Sequence, residues 1–75
     1  MQIEVKSPFI KQLADALVRK YKNDIVFQDA VVASNEPYRA MVWESGFIAH
    51  ELLESFDGSD EWADLMEEID SLMQY

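Results

Sequence analysis

The stretch that decides the fold is NEPYRAMVWESGFIAHELLESF, residues 35–56. It opens on Asn-Glu-Pro, which is typical of a helix start because proline is well tolerated in the first helical turn. From there, mostly apolar side chains recur at steps of three and four residues, the spacing of one helix face. They are Tyr38, Met41, Val42, Ser45, Ile48, Ala49, Leu52, Leu53 and Phe56. The pattern predicts one helix over residues 36–56 and leaves little chain for a sheet.

Two other segments have the same periodicity. Ser7-Pro8 is a good helix start, and the predicted helix over residues 8–22 carries an apolar row at Ile10, Leu13, Ala14, Leu17, Val18 and Tyr21. Ser59 is a good N-cap for a helix over residues 59–73, whose row is Trp62, Leu65, Met66, Ile69, Leu72 and Met73. Asp57-Gly58 separates this helix from the preceding one, since Asp-Gly favours a turn.

Residues 24–33 and residues 2–5 are ambiguous. The first segment is rich in Ile, Val and Phe, which suits a strand or a short helix with Val26, Phe27, Ala30 and Val31 on one face. The second alternates as a short strand does. We expect an all-α fold, a compact small bundle of about four helices in a single domain over residues 1–75. The alternative is a small α+β fold with a short sheet from residues 2–5 and 24–33.

The acidic residues are concentrated in one half of the chain. Residues 44–75 contain ten carboxylates and no Lys or Arg, whereas residues 1–43 hold five acids against six bases. The formal charge of -9 therefore comes almost wholly from the C-terminal half. Like charges at helical spacings destabilise a helix by roughly 0.2–0.5 kcal/mol per pair, so helix stability does not explain this arrangement. Charge segregated in this way bears on partners and association rather than on fold.

Most of these carboxylates are predicted contacts to a basic partner protein. They are Glu51, Glu54, Asp57, Asp60, Glu61, Asp64, Glu67 and Glu68. Carboxylates four residues apart on a helix rise by about 6 Å, which is comparable in scale with the phosphates along a nucleic-acid strand. The same residues equally fit a solvated face that keeps a small protein soluble.

A second apolar row lies off the main stripe of residues 36–56. It consists of Ala40, Trp43, Phe47 and His50, with Gly46 between the two aromatic residues. A helix that is apolar on two sides is usually buried on both. If the row is exposed instead, Trp43 and Phe47 are the expected anchors, because aromatic side chains dominate the energetics of many interfaces.

The composition argues against catalysis, metals and cofactors. The chain has no cysteine and two glycines, so it offers no thiolate nucleophile and no glycine-rich phosphate loop. His50 is the only histidine, and a lone histidine is more often a packing residue than a ligand. An acidic surface is repelled by nucleic acid and by anionic lipids. We therefore expect no enzyme, no metal, no cofactor, no direct nucleic-acid binding and no membrane binding.

Residues 35–50 resemble a local pattern in small bacterial and phage helical proteins of the ribosome modulation factor type. In that pattern an Asn-Pro-Tyr helix start precedes Trp-x-x-Gly-Phe-x-x-Ala; here Glu36 interrupts the start, and Trp43, Gly46 and Phe47 carry the match. The match covers under a quarter of the chain. That family is basic and binds ribosomal RNA, whereas this chain is acidic, so no binding residue is carried over.

In size, charge and lack of cysteine, the chain resembles the small acidic inhibitors that phages use against host nucleases, restriction enzymes and CRISPR effectors. This resemblance implies an inhibitor that occludes the nucleic-acid-binding surface of a basic host protein, in some cases as a DNA mimic, and a location in the host cytoplasm. The alternative is a small accessory or assembly subunit, or an antitoxin-like partner, that docks through apolar helix faces. A small core also gains by sharing an apolar face, so a homodimer fits this chain as well.

Overall fold

The computed structural model describes residues 7–74, and these fold into five helices. They are α1 (Pro8–Asn23), α2 (Ile25–Val32), α3 (Pro37–Ser45), α4 (His50–Phe56) and α5 (Asp60–Met73). The predicted all-α class is confirmed for this part of the chain. The alternative sheet is wrong in its second strand, because residues 25–32 are helical; residues 2–5 lie outside the described residues. None of the helices found in the described part is long and apolar enough to cross a membrane.

Helices α1 and α2 begin where side-chain caps satisfy the first backbone donors. The hydroxyl of Ser7 accepts a hydrogen bond from the backbone N–H of Phe9 at 3.2 Å, and Pro8 occupies the first turn. A carboxylate oxygen of Asp24 accepts from the backbone N–H of Phe27 at 3.1 Å. This bond holds the pKa of Asp24 below its usual value, because it favours the charged carboxylate. Asp24 therefore decides the ambiguous segment by starting a helix there, and not a strand.

The predicted helix over residues 36–56 is wrong in one respect, since the structure divides it into α3 and α4. Gly46 has a φ of 76°, the left-handed conformation that ends many helices. The hydroxyl of Ser45 donates to the carbonyl of Val42 at 2.9 Å and accepts from the backbone N–H of Phe47 at 3.2 Å. These local bonds compete with the helical ladder. The count is therefore five helices and not about four.

We predict that Gly46→Ala lowers the free energy of unfolding by about 1 kcal/mol or somewhat more, because a Cβ disfavours the left-handed conformation. No atom lies within 4 Å of the position that a Cβ would take, so this loss is a backbone effect. Gly46→Asn is the matched control, since asparagine tolerates this conformation better. Urea unfolding of both variants checks the prediction. A gain in stability for Gly46→Ala, with increased helical circular dichroism, would contradict it.

The core is built mainly where α1 packs on α5, with α3 packed on α2 and also on α1 and α5. Its fully or nearly buried members are Ile10, Leu13, Ala14, Leu17, Val18, Phe27, Val31, Met41, Val42, Leu53, Leu65 and Ile69. The helix α4 contributes a single member, Leu53. The turn between α4 and α5 is braced by Phe56 and Trp62, whose rings meet edge to face at 5.3 Å. The acid-bearing helices are thus held on one core, α5 broadly and α4 through the buried Leu53 and the half-buried Phe56.

Candidate partner-binding surface

The predicted contact carboxylates lie on α4, on α5 and in the turn between them. Glu51 and Glu54 on α4 are exposed, as are Asp60, Glu61 and Glu67 on α5; Asp57, Asp64 and Glu68 are half-buried. The helix α5 is continuous from Asp60 to Met73, so its acids keep the spacing of one face that the sequence predicts. Asp60 and Glu61 occupy the first turn of α5, where the helix dipole favours negative charge.

The pairing of charges differs between the two halves of the chain. In the N-terminal half, Arg19 pairs with Asp15 at 3.0 Å and Lys20 pairs with Asp24 at 3.4 Å. Within residues 7–74, the basic residues lie on α1 and α3. One of them, Arg39, forms an ion pair with an acid of the C-terminal half, Asp57. Glu67 and Glu68 already interact with other groups of the chain. The remaining five predicted contacts have no cation against them among the described residues: Glu51, Glu54, Asp60, Glu61 and Asp64.

Asp57 stands apart from the other candidate contacts. Its carboxylate forms an ion pair with the guanidinium of Arg39 on α3, and its side chain is 24% exposed. Arg39 also lies 3.5 Å from a carboxylate oxygen of Glu36 and above the ring of Trp43, 5.8 Å from its centroid. Asp57 therefore fastens the end of α4 to α3, and a partner's cation would have to displace Arg39 to use it.

The two predicted aromatic anchors lie in different environments. Trp43 is half-buried against the core, and its ring contacts the ring of His50 with centroids 5.4 Å apart. The Nε2 atom of His50 lies 3.3 Å from the carbonyl oxygen of Trp43, so His50 bridges α3 and α4. The indole N–H of Trp43 is buried, with no hydrogen-bond partner among the described residues. Phe47, in contrast, is 50% exposed at the joint between the two helices, within reach of a partner.

The sequence reasoning missed two groups of exposed apolar side chains. Leu52 belongs to the apolar row predicted for residues 36–56, yet it is 60% exposed beside Glu51, because the break at Gly46 turns α4 relative to α3. Ile25, Val26 and Val32 are exposed on α2. The signal for the α2 side chains was that six of the eight residues 25–32 are apolar and fall on more than one side of the helix, which a short helix on the surface cannot bury completely.

Asp70 on α5 is used within the fold. It accepts a hydrogen bond from the hydroxyl of Tyr38 on α3 at 2.8 Å and another from the side-chain amide of Gln74 at 3.1 Å. The bond to the carboxylate, and burial to a lesser degree, raise the pKa of Tyr38 above its ordinary value of 10.0, since both favour the neutral phenol. The contact joins α3 to α5 at the edge of the core.

The raised pKa of Tyr38 predicts that the protein loses stability in strongly alkaline solution. Above pH 10.0 the unfolded chain releases the phenolic proton while the folded protein retains it, so the stabilising contribution is complete below that pH and is lost above it. We expect the urea midpoint to fall more steeply above pH 10.0 in the native protein than in Asp70→Asn, which removes the charge that disfavours ionisation. Equal slopes in the two proteins would contradict this assignment.

The surface between α3 and α5 is grooved and open to solvent. A groove of about 360 Å³ there is lined by Glu36, Pro37, Tyr38, Arg39, Asp57, Trp62 and Met66. A search of the described residues finds no group of three or more His, Cys, Asp or Glu side chains that could hold a metal ion. The chemistry that this surface offers is therefore negative charge on α4 and α5 with two exposed apolar side chains, Phe47 and Leu52, on the α3–α4 side of it.

In comparisons with known proteins, no protein family, curated protein or solved structure matches the chain.

Proposed function

We propose that this protein is an acidic inhibitor or modulator that binds a basic protein and covers its nucleic-acid-binding surface. The targets that fit this chemistry are a CRISPR effector, a restriction enzyme or another nuclease. The carboxylates of α4 and α5 pair with Lys and Arg of the target, and Phe47 and Leu52 add apolar contact. The protein acts by occupying the surface, without chemistry of its own.

The observation that carries the proposal is the unequal pairing of charges. The acids of α1 and its C-cap are matched by neighbouring cations, whereas Glu51, Glu54, Asp60, Glu61 and Asp64 have none among the described residues. Leaving five carboxylates unmatched on two neighbouring helices gives a field of one sign, and such a field attracts a partner of opposite charge and speeds the encounter. A solubilising surface would be served equally well by acids interspersed with bases.

The regular spacing on α5 supports a nucleic-acid-binding surface as the place that is covered. Because α5 remains one helix from Asp60 to Met73, Asp60, Asp64 and Glu68 rise in steps of about 6 Å. Of these three, Glu68 already interacts within the chain, so Asp60 and Asp64 are the two offered to a partner. The phosphates of a nucleic-acid strand are spaced on a similar scale, so a groove whose Lys and Arg residues bind phosphates can also bind these carboxylates. Binding of such a row also releases counterions from the partner's groove, as phosphate binding does.

The experiment that tests the function is capture and displacement. The tagged protein is incubated with a nuclease-treated bacterial lysate, and retained proteins are identified by mass spectrometry. We expect the tagged protein to retain a basic nucleic-acid-handling protein. Duplex DNA or RNA, when added, should displace that protein increasingly as the nucleic-acid concentration rises. Retention of a basic protein that ignores added nucleic acid would exclude occlusion of the nucleic-acid site.

An accessory or assembly subunit is the second candidate function, because Ile25, Val26 and Val32 on α2 are exposed. Such a subunit docks through an apolar face, and its binding barely changes with ionic strength. Binding through the carboxylates weakens steeply between low and physiological salt. Titration of the captured partner at several salt concentrations therefore separates the two candidates.

A further inference from the structure

The helix α2 carries an apolar face that no part of the described chain covers. Phe27 and Val31 point into the core, one turn apart. The opposite side of the helix consists of two adjacent rows at the spacing of one helix face. The first is Ile25, Asp29 and Val32, and the second is Val26, Ala30 and Ala33; all six residues are exposed. Asp29 is the single charged residue in these two rows.

The exposure of this face is high for aliphatic side chains. Ile25 is 66% exposed, Val26 is 75% exposed and Val32 is 63% exposed. These three are half of the large apolar side chains that are exposed in residues 7–74; the others, Phe9, Phe47 and Leu52, lie on or beside other helices. A contiguous exposed apolar patch of this kind marks an interaction surface more often than scattered apolar residues do.

We propose that this face is the contact between two copies of the chain, paired through α2 about a two-fold axis. A two-fold contact requires a patch that is complementary to itself. Here Ile25 and Val32 form a ridge, and a groove of about 210 Å³ lies beside it. The groove is lined by Lys20, Asp24, Val26, Phe27, Ala30 and Glu44. The ridge of one copy fits the groove of the other.

The distribution of charge favours pairing through α2 over a pairing that brings the acidic helices together. A chain with a formal charge of -9 repels a second copy wherever the acidic halves face each other. The helix α2 packs mainly on α1 and α3 and belongs to residues 1–43, where five acids stand against six bases. Two copies that meet through α2 therefore meet mainly at their nearly neutral halves, and Glu44 is the one lining residue of the groove that comes from the acidic half. The acids of α4 and α5 stay available for another partner.

The size of the face sets the strength of the dimer. Stable complexes bury about 800 Å² on each partner, whereas this contact rests on a single helix of eight residues. The dimer is therefore expected to be weak and reversible, with a dissociation constant on the order of micromolar to millimolar. Asp29 weakens it further, since this carboxylate lies on the ridge and enters a groove of the other copy that holds two acids, Asp24 and Glu44, against one base, Lys20.

The test is sedimentation velocity of the full chain over that range of concentration. We expect a reversible monomer–dimer equilibrium in which Val26→Lys raises the dissociation constant by roughly tenfold or more, because it places a charge in each half of an apolar contact. Leu52→Lys is the matched control: it introduces the same charge at a comparably exposed leucine on α4, and the dissociation constant should hardly change. Asp29→Asn should strengthen the dimer several-fold.

Three outcomes would overturn the proposal: a monomer at every concentration, a dimer that Val26→Lys leaves intact, or equal losses in Val26→Lys and Leu52→Lys. A weaker dimer in Asp29→Asn would contradict the ridge-in-groove arrangement, since that carboxylate would then be paired with a cation across the contact. Cross-linking provides a second test that does not depend on whether the Val26→Lys variant folds. Because the chain has no cysteine, Val26→Cys and Leu52→Cys each carry one thiol. A short bismaleimide should join two copies through residue 26 and not through residue 52, and the reverse result would overturn the α2 contact.

Discussion

Replacing Glu51, Glu54, Asp60, Glu61 and Asp64 by their amides should lower the affinity for the captured basic partner by roughly 100-fold at low salt. Exposed ion pairs contribute about 0.5 kcal/mol each, and five such pairs lost together correspond to a change of this order in the dissociation constant. The five are chosen because the described residues place no cation against them and because they are not engaged elsewhere in the chain. Asp57, Glu67 and Glu68 are left unchanged because each of them already interacts with another group of the chain.

The measurement is a binding titration by fluorescence anisotropy or calorimetry at two salt concentrations. The salt dependence of the affinity should flatten in the variant together with the loss of affinity itself, since both arise from the same ion pairs. Urea unfolding accompanies it, because Asp60 and Glu61 stabilise the first turn of α5 and their removal costs some stability.

A matched control separates the position of the charges from their number. Two triple variants each remove three acids: one changes Glu51, Glu54 and Asp64, and the other changes Asp15, Asp29 and Glu36. Both carry the same net charge, but the second leaves the acids of α4 and α5 in place. We expect the affinity to fall in the first and to be nearly unchanged in the second. Equal losses would mean that the partner responds to the overall charge and that α4 and α5 have no special role.

Truncating Leu65 to alanine should remove about 2–5 kcal/mol from the free energy of unfolding, the range for a buried leucine whose loss leaves a cavity. Leu65 is fully buried on α5, and α5 makes its broadest contact with α1. A domain of this length has a total stability of roughly 4–11 kcal/mol. The variant is therefore expected to be largely unfolded at modest urea concentrations or at slightly raised temperature.

Leu52→Ala is the control for this prediction, because it is the same substitution at a leucine that is 60% exposed. Its effect on stability should stay within about 0.5 kcal/mol. The order of the two effects should be reversed when the affinity for the partner is measured instead of stability. At a temperature where both are folded, Leu52→Ala should weaken capture if Leu52 contacts the partner, whereas Leu65→Ala should leave the affinity nearly unchanged. Similar losses of stability in both would show that the assigned burial of Leu65 is wrong.

The helices at the two ends of the described chain followed from local signals. Ser7-Pro8 and Ser59 supply caps that act within a few residues, and the apolar rows of residues 8–22 and 59–73 give the buried faces of α1 and α5 almost residue by residue. Such features depend on near neighbours only, so a periodic sequence predicts them well. The break within residues 36–56 was missed because the apolar spacing continues across Gly46. A periodic row carries no information on whether one glycine adopts a positive φ.

The predictions about the site divide in the same way. The position of the acids on α4 and α5, and the exposure of most of them, followed from composition and helical spacing. The pairing of Asp57 with Arg39 and of Asp70 with Tyr38 did not. Each of these contacts joins residues far apart in the chain. The exposure of Leu52 likewise depends on how α4 leaves α3.

The sequence by itself thus favoured an all-α fold over a small α+β fold, and it determined where α1 and α5 begin and that negative charge gathers in the C-terminal half. These properties reside in caps, periodicity and composition, which need no knowledge of the neighbouring helices. Only the tertiary structure decided which carboxylates are already matched, which apolar side chains stay in solvent, and that α2 turns Ile25, Val26 and Val32 outward. The physical reason is that burial and ion pairing are relations between segments, and the packing of α1 with α5 and of α2 with α3 settles which side of each helix remains for a partner.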